Sequence, residues 1–390
     1  MNQLLFEGRS LVGMVSSIVN QDDRRIALNR FDWERMYRLS DYHKVANIVY
    51  LGLLGYREAV PDKWRERFFK RYQESLQFGE YCEESLKEVL TWLDMMGISC
   101  TILTSESVRE FYKLPETAEN SPIQIFLEEE NYYLAKGFLI DLGYEIEETY
   151  IGFGERMKRV SGISVTLYRK LPFRTVKYAK GMIKLLETAQ IREPYENIWM
   201  LPIESELIYR MASVVYRYSI DELTIREVLE LFLCHKAWRE NLDDEIFWKR
   251  LEEFKVDTLS EKILDLAYMW FGEKTDTFLV NHQDDMIVYD IVEERLLTRG
   301  LVNHENDDQA LKLQSLINKE IEKEKIKEGK IIKKEKRDEY FNKLKKQMKW
   351  LFPDYHYMSS IYSILEKIPV LLPVFWIIRG MRIFWRSFVK

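Results

Sequence analysis

The sequence predicts an α+β chain in which a small mixed sheet sits between N-terminal and C-terminal helical regions. Three observations carry this. Apolar residues recur at three- and four-residue steps up to Met96. After Gly97 the pattern changes to short β-branched runs bounded by turn residues. From about residue 200 the helical spacing returns. A period near 3.6 marks a helix with one buried face, and short runs rich in β-branched residues mark strands.

In the first helical region, WERMYRLSDYHKVANIVYLGLLG places Met36, Leu39, Tyr42, Val45, Val49 and Leu53 at helical steps. Pro61 opens a long helix to about Met96, because a first turn tolerates a missing amide hydrogen. Trp64, Phe68, Tyr72, Leu76, Leu86, Leu90 and Leu93 form its stripe, and Gly97 is placed to cap its end. Next come a strand at Ile98–Leu103, a short helix at Glu106–Tyr112 and a second strand at Ile123–Leu127. A helix follows over Glu129–Leu142, with Leu134, Ala135, Phe138 and Leu139 on one face and Gly143 closing it. Tyr144–Tyr150, alternating apolar and acidic residues, reads as an edge strand, and Ile163–Tyr168 as a further strand. Four helices are then expected: one from near Glu204, one in TIREVLELFLCHKAWRE, one in DDEIFWKRLEEFKV, and one in SEKILDLAYMWFG with Ser260 as cap and Gly272 as stop. The sheet-facing side of the N-terminal helices needs a partner, so these helices are expected to pack on the sheet. The resulting division is 1–96, 97–195, 196–300, a charged segment 301–350, and an aromatic and basic segment 351–390.

With 390 residues the chain has room for more than one core. Hydrophobic residues make up 46% and charged residues 31%, ordinary globular values. Net charge is −6, which argues against a general nucleic-acid binder. The three cysteines have no metal-ligand spacing and fit a reducing compartment, and the N-terminus lacks the basic and apolar blocks of a signal peptide. Both point to a cytoplasmic protein.

The stretches LKEVLTWLDMMGISCTILTSESV and SPIQIFLEEENYYLAKGFLIDLGYEIEE resemble an uncharacterised nucleotidyltransferase family found among bacterial polysaccharide-biosynthesis genes. That family is similar to the DNA polymerase β-type nucleotidyltransferases. The resemblance continues through LPIESELIYRMASVVYRY, the helices at 225–272 and YSILEKIPVLLPVFWIIRGMRIFW. It implies a strand ending in Leu-Lys-Gly, an Asp-Ile-Asp strand and a later Val-Glu-Leu-His strand. Here the Lys-Gly place holds Thr104-Ser105, the two aspartates fall at Pro122 and Gln124, and the later strand reads Val165-Thr166-Leu167-Tyr168. Paired histidines of the following helix fall near Ser213 and Arg217.

These departures bear on chemistry. Nucleotidyl transfer needs magnesium held by hard oxygen ligands, and an i, i+2 carboxylate pair on a strand supplies them on one face. Pro122, Gln124 and Thr166 supply no charge, so no metal and no cofactor are expected. Mg2+ and a nucleoside triphosphate enter only if ligands are relocated, drawn from Glu106, Glu128, Glu129 or Glu130. Glu128–Glu130 also reads as an acidic first helical turn. Thr104, Ser105, Glu106, Ser107, Ser121, Gln124, Glu128, Thr166 and Tyr168 form the candidate pocket. Ser105 and Glu106 read equally as a helix cap.

The main expectation is a nucleotidyltransferase-like protein without catalysis that acts in binding or assembly. An active enzyme and a pure protein-interaction scaffold are the alternatives. The lysine-rich run 330–349 is either a solvated face or an anion-binding surface. The last residues either pack as core or contact a partner or an anionic membrane through Arg379, Arg382, Arg386 and Lys390. The uncharged stretch there is too short to span a bilayer.

Overall fold

The computed structural model describes residues 3–22, 31–118, 122–150, 152–160, 162–171, 173, 181, 183–254, 256–272, 290–298, 355, 358–359, 362 and 364–378. The expectations placed on Ser121, on 301–350 and on the four cations from Arg379 to Lys390 lie outside these residues.

The first elements are α1 (Gln3–Asn20), α2 (Trp33–Tyr42), α3 (Ala46–Leu53) and the 34-residue α4 (Asp62–Met95). Pro61 precedes the first turn of α4, as its missing amide hydrogen predicts. At the other end, Gly97 takes φ +65°, its N–H reaches Asp94 O, and the Ile98 N–H reaches Leu93 O. Gly143 ends α5 (Glu129–Asp141) in the same way, with φ +82° and bonds from Gly143 to Ile140 and from Tyr144 to Leu139. A left-handed residue here satisfies the last carbonyls, and glycine adopts it without steric cost.

Among the described residues the sheet has seven strands in the order β3-β4-β5-β2-β1-β7-β6. They are β1 (Cys100–Thr104), β2 (Ile123–Phe126), β3 (Glu145–Tyr150), β4 (Gly154–Lys158), β5 (Val165–Tyr168), β6 (Gln190–Ile191) and β7 (Ile198–Met200). The β2–β5 and β1–β7 pairs are parallel and the others antiparallel, so the sheet is mixed. Its last strand lies past residue 195, because β7 must return to pair with β1. β3 is an edge strand as expected, although Ile146 is exposed rather than buried.

Alternation along the strands separates two faces. Ile102, Ile125, Val165 and Leu167 face one core, shared with Leu86, Leu90 and Leu93 of α4 and with Ala135 and Leu139 of α5. Leu134 is 61% exposed and takes no part in it. The opposite face looks toward the C-terminal helices: α6 (Ile203–Ser219), α7 (Ile225–Trp238), α8 (Asp244–Glu253) and α9 (Asp257–Phe271).

Those helices form a larger second core with α1–α3 and with Trp64 and Phe68 of α4. The expected covering of the sheet by the N-terminal helices therefore holds for α4 alone. The stripes of α1–α3 find their partner in the C-terminal helices, and α1 packs on α9. Ser260 is not a cap. It is fully buried inside α9, whose first turn begins after Val256. Near the C-terminus Phe375 and Trp376 pack against the larger core, while Val370, Val374 and Ile377 are exposed. Among the described residues no helix is long and apolar enough to cross a membrane.

Candidate functional site

Between the helix-facing side of the sheet and helices α6 and α7 lies a cavity of about 180 Å³. Strand register builds its floor. Arg156 on β4 pairs with Thr166 on β5, Thr166 with Gln124 on β2, and Gln124 with Thr104 on β1. These four side chains form a row across the sheet, and each lines the cavity. Helix α6 lies above the row, contributing Tyr209, Ser213 and Arg217 at four-residue steps, one face of the helix.

The expected pocket residues divide cleanly. Thr104, Ser105, Gln124, Thr166 and Tyr168 line the cavity, as does Pro122. Glu128 does not. It is exposed at the N-terminus of α5, followed by the exposed Glu129 and Glu130 in the first turn, where their charge favours the helix dipole. None of the three lines the cavity. Ser121 and the side chains of Glu106 and Ser107 lie outside the described residues. Ser105 precedes the 3-10 turn Glu106–Phe111 but makes no side-chain cap bond there. Its N–H and hydroxyl instead donate to Glu206 Oε1, at 2.8 and 3.0 Å.

Gln124 is already engaged by a neighbouring side chain. Tyr209 Oη donates to its Oε1 at 2.6 Å. Burial raises the Tyr209 phenol above its ordinary pKa, so it stays a neutral donor. Burial raises Tyr168 in the same way, and pushes Tyr150, which also lines the cavity, up to about 12. Thr166 is buried at 1% exposure. Pro122 offers no side-chain donor atom. Among the described residues no group of three or more His, Cys, Asp or Glu is placed to hold a metal ion. The residues at the three motif places therefore do not fit magnesium, which needs charged oxygens close together.

The charge in the cavity is mostly positive. Six cationic side chains and two carboxylates, Glu227 and Glu230, line it. Arg210 is held by Glu206, with Nη2–Oε1 at 2.6 Å, and Arg217 by Glu227, with Nε–Oε1 at 2.9 Å. Arg226 is buried and hydrogen-bonded to α3, to the segment before β2 and to the Lys44 carbonyl between α2 and α3. Lys44 and Arg109 complete the set. Sequence reasoning missed Lys44, Arg109, Arg156 and Tyr209. The first three sit in polar segments where a surface cation is the ordinary expectation. Arg156 was further hidden because GERMK carries too little apolar alternation to read as a strand.

A family model described as an uncharacterised nucleotidyltransferase matches residues 29–272. The chain belongs to this nucleotidyltransferase family. The match takes in the nucleotidyltransferase-like sheet, the cavity and helices α6–α9, and it ends at Gly272. The resemblance read in 362–385 lies beyond it. No curated protein and no solved structure matches the chain.

Proposed function

We propose that this nucleotidyltransferase-family protein has lost nucleotidyl transfer and works by binding. The observation that carries the reading is the Tyr209–Gln124 hydrogen bond. It engages the one side-chain oxygen that the Asp-Ile-Asp strand still offers to a cation, and that oxygen is neutral. Arg156 stands in the same row, two strands away, and opposes a doubly charged cation there. Of the two carboxylates that reach the cavity, Glu227 closes the capping box of α7 with Thr224 and pairs with Arg217.

An open cavity favours a ligand-binding role over that of a pure scaffold. Service beside surface-polysaccharide enzymes in the cytoplasm is the finer reading, and it rests on the family resemblance alone. Incubation with magnesium or manganese and each labelled nucleoside triphosphate tests the proposal. The expected result is no transfer and no hydrolysis above background. Turnover abolished by a chelator would establish relocated ligands and an active enzyme.

A further inference from the structure

The arginines of α6 and α7 are matched by protein groups, but two cations of the cavity are not. Among the described residues the Lys44 ammonium meets no carboxylate and no hydrogen-bond acceptor. Arg109 forms no ion pair among them, and its Nη1 is buried without a partner. A buried guanidinium with an unused donor is costly unless something polar completes it.

Both cations are held in place by particular features of the fold. Lys44 sits between α2 and α3 with φ +57°, a left-handed conformation rare for a residue with a side chain. Its carbonyl accepts from Arg226 Nε at 2.9 Å, which fixes the turn. Arg109 lies across α4. Its guanidinium carbon is 5.8 Å from the centre of the Phe78 ring. A Cβ on Gly79 would stand 2.5 Å from Arg109 Nη2. Glycine weakens a helix interior, so its presence here has a local cost. At this position it lets a guanidinium rest against the helix.

A second cavity, of about 600 Å³, shares Lys44, Phe78, Pro122 and Arg156 with the first. Arg71, Lys158 and Arg159 also line it, facing Asp41, Glu74 and Glu147. The inner cavity is thus small and cationic, and it continues into a larger, mixed one. That shape fits a compact anionic head attached to a larger body. Guanidinium and ammonium groups together suit a phosphoryl group, which takes several charge-assisted hydrogen bonds.

We propose that the inner cavity binds the phosphoryl group of a small phosphorylated molecule directly. Arg109 and Lys44 supply the charge that a metal ion supplies in a transferring enzyme, and the rest of the molecule lies in the second cavity. This deepens the binding-only reading and rests on it.

The test is isothermal titration of the full chain with inorganic pyrophosphate and with ATP, first in EDTA and then in excess magnesium. Saturable binding of at least one probe is expected in EDTA, with no gain from magnesium. Lys44→Met and Arg109→Met should each weaken it about tenfold or more. Gly79→Ala keeps every charge but displaces Arg109, and should weaken it as well. The Lys44 side chain has no partner to lose among the described residues, so its variant keeps the test decisive if Arg109→Met does not fold. Neither probe binding in EDTA, binding that requires magnesium, or binding indifferent to Lys44→Met would overturn the proposal. Labelled-nucleotide turnover in magnesium would instead overturn the binding-only reading, and is scored in a separate assay.

Discussion

Arg226 ties together segments far apart in the chain. Its guanidinium donates to Lys44 O, Tyr112 Oη and Thr117 O at 2.9 Å, and to Asn47 Oδ1 at 2.7 Å. A lysine carries its donors on one point and cannot span four acceptors around a planar fork. Arg226→Lys is expected to lower unfolding stability by about 3 kcal/mol, read from urea denaturation. A loss below about 1 kcal/mol would mean that the network contributes little. Tyr209→Phe removes only a hydroxyl and leaves Gln124 Oε1 without its donor. A loss of about 1–2 kcal/mol is expected there. Pro122, Gln124 and Thr166 could be placed from sequence, because the family resemblance assigns them to the motif places and two-residue alternation puts 122 and 124 on one face. Lys44 and Arg109 could not. The role proposed for them depends on which groups lie near them in space, and spacing along the chain carries no such information.

The elements show where sequence patterns speak clearly and where they do not. Helix ends were legible at Gly97 and Gly143, since glycine after an apolar stripe has a stereochemical reason to stop a helix. β4 was not legible, because an antiparallel strand next to the edge holds its place by pairing with β3 and β5 and by ion pairs. Arg156 Nε lies 3.2 Å from Glu147, and Lys158 also pairs with Glu147. Two glycines make the stereochemical point testable with opposite signs. Gly97→Ala forces a side chain into φ +65° and should cost about 1 kcal/mol. Gly137, inside α5, has nothing within 4 Å of where a Cβ would stand. Gly137→Ala should stabilise by about 0.5–1 kcal/mol. Thermal melts of the two variants should move in opposite directions.

Acid should unfold the whole molecule earlier than its carboxylates alone would suggest. His43 is buried, with Nδ1 accepting from the Ile225 N–H, and burial lowers its pKa to about 3. His235 is hydrogen-bonded to Tyr268, and burial together with Arg239 lowers it to about 4. Both folded values lie below the ordinary 6.5. The unfolded chain therefore takes up protons that the folded chain refuses. Stability is complete above about pH 6.5 and declines as pH falls toward 4 and then 3, by about 2 kcal/mol for each histidine at pH 5. Equal urea midpoints at pH 7.5 and pH 5 would contradict this. The two cores themselves are bridged by α4, whose 34 residues make a rod about 50 Å long. Trp64 and Phe68 anchor one end in the helical core, and Leu86, Leu90 and Leu93 anchor the other against the sheet, while Leu76 between them stands 39% exposed. Mechanically this is a beam clamped at both ends, with a lighter-packed span between in which Phe69, Leu76 and Tyr81 stand exposed. Amide hydrogens in that span should exchange with solvent sooner than those at either clamp. Because Phe78 borders both cavities, an occupant there would add a further support and slow the exchange at mid-span.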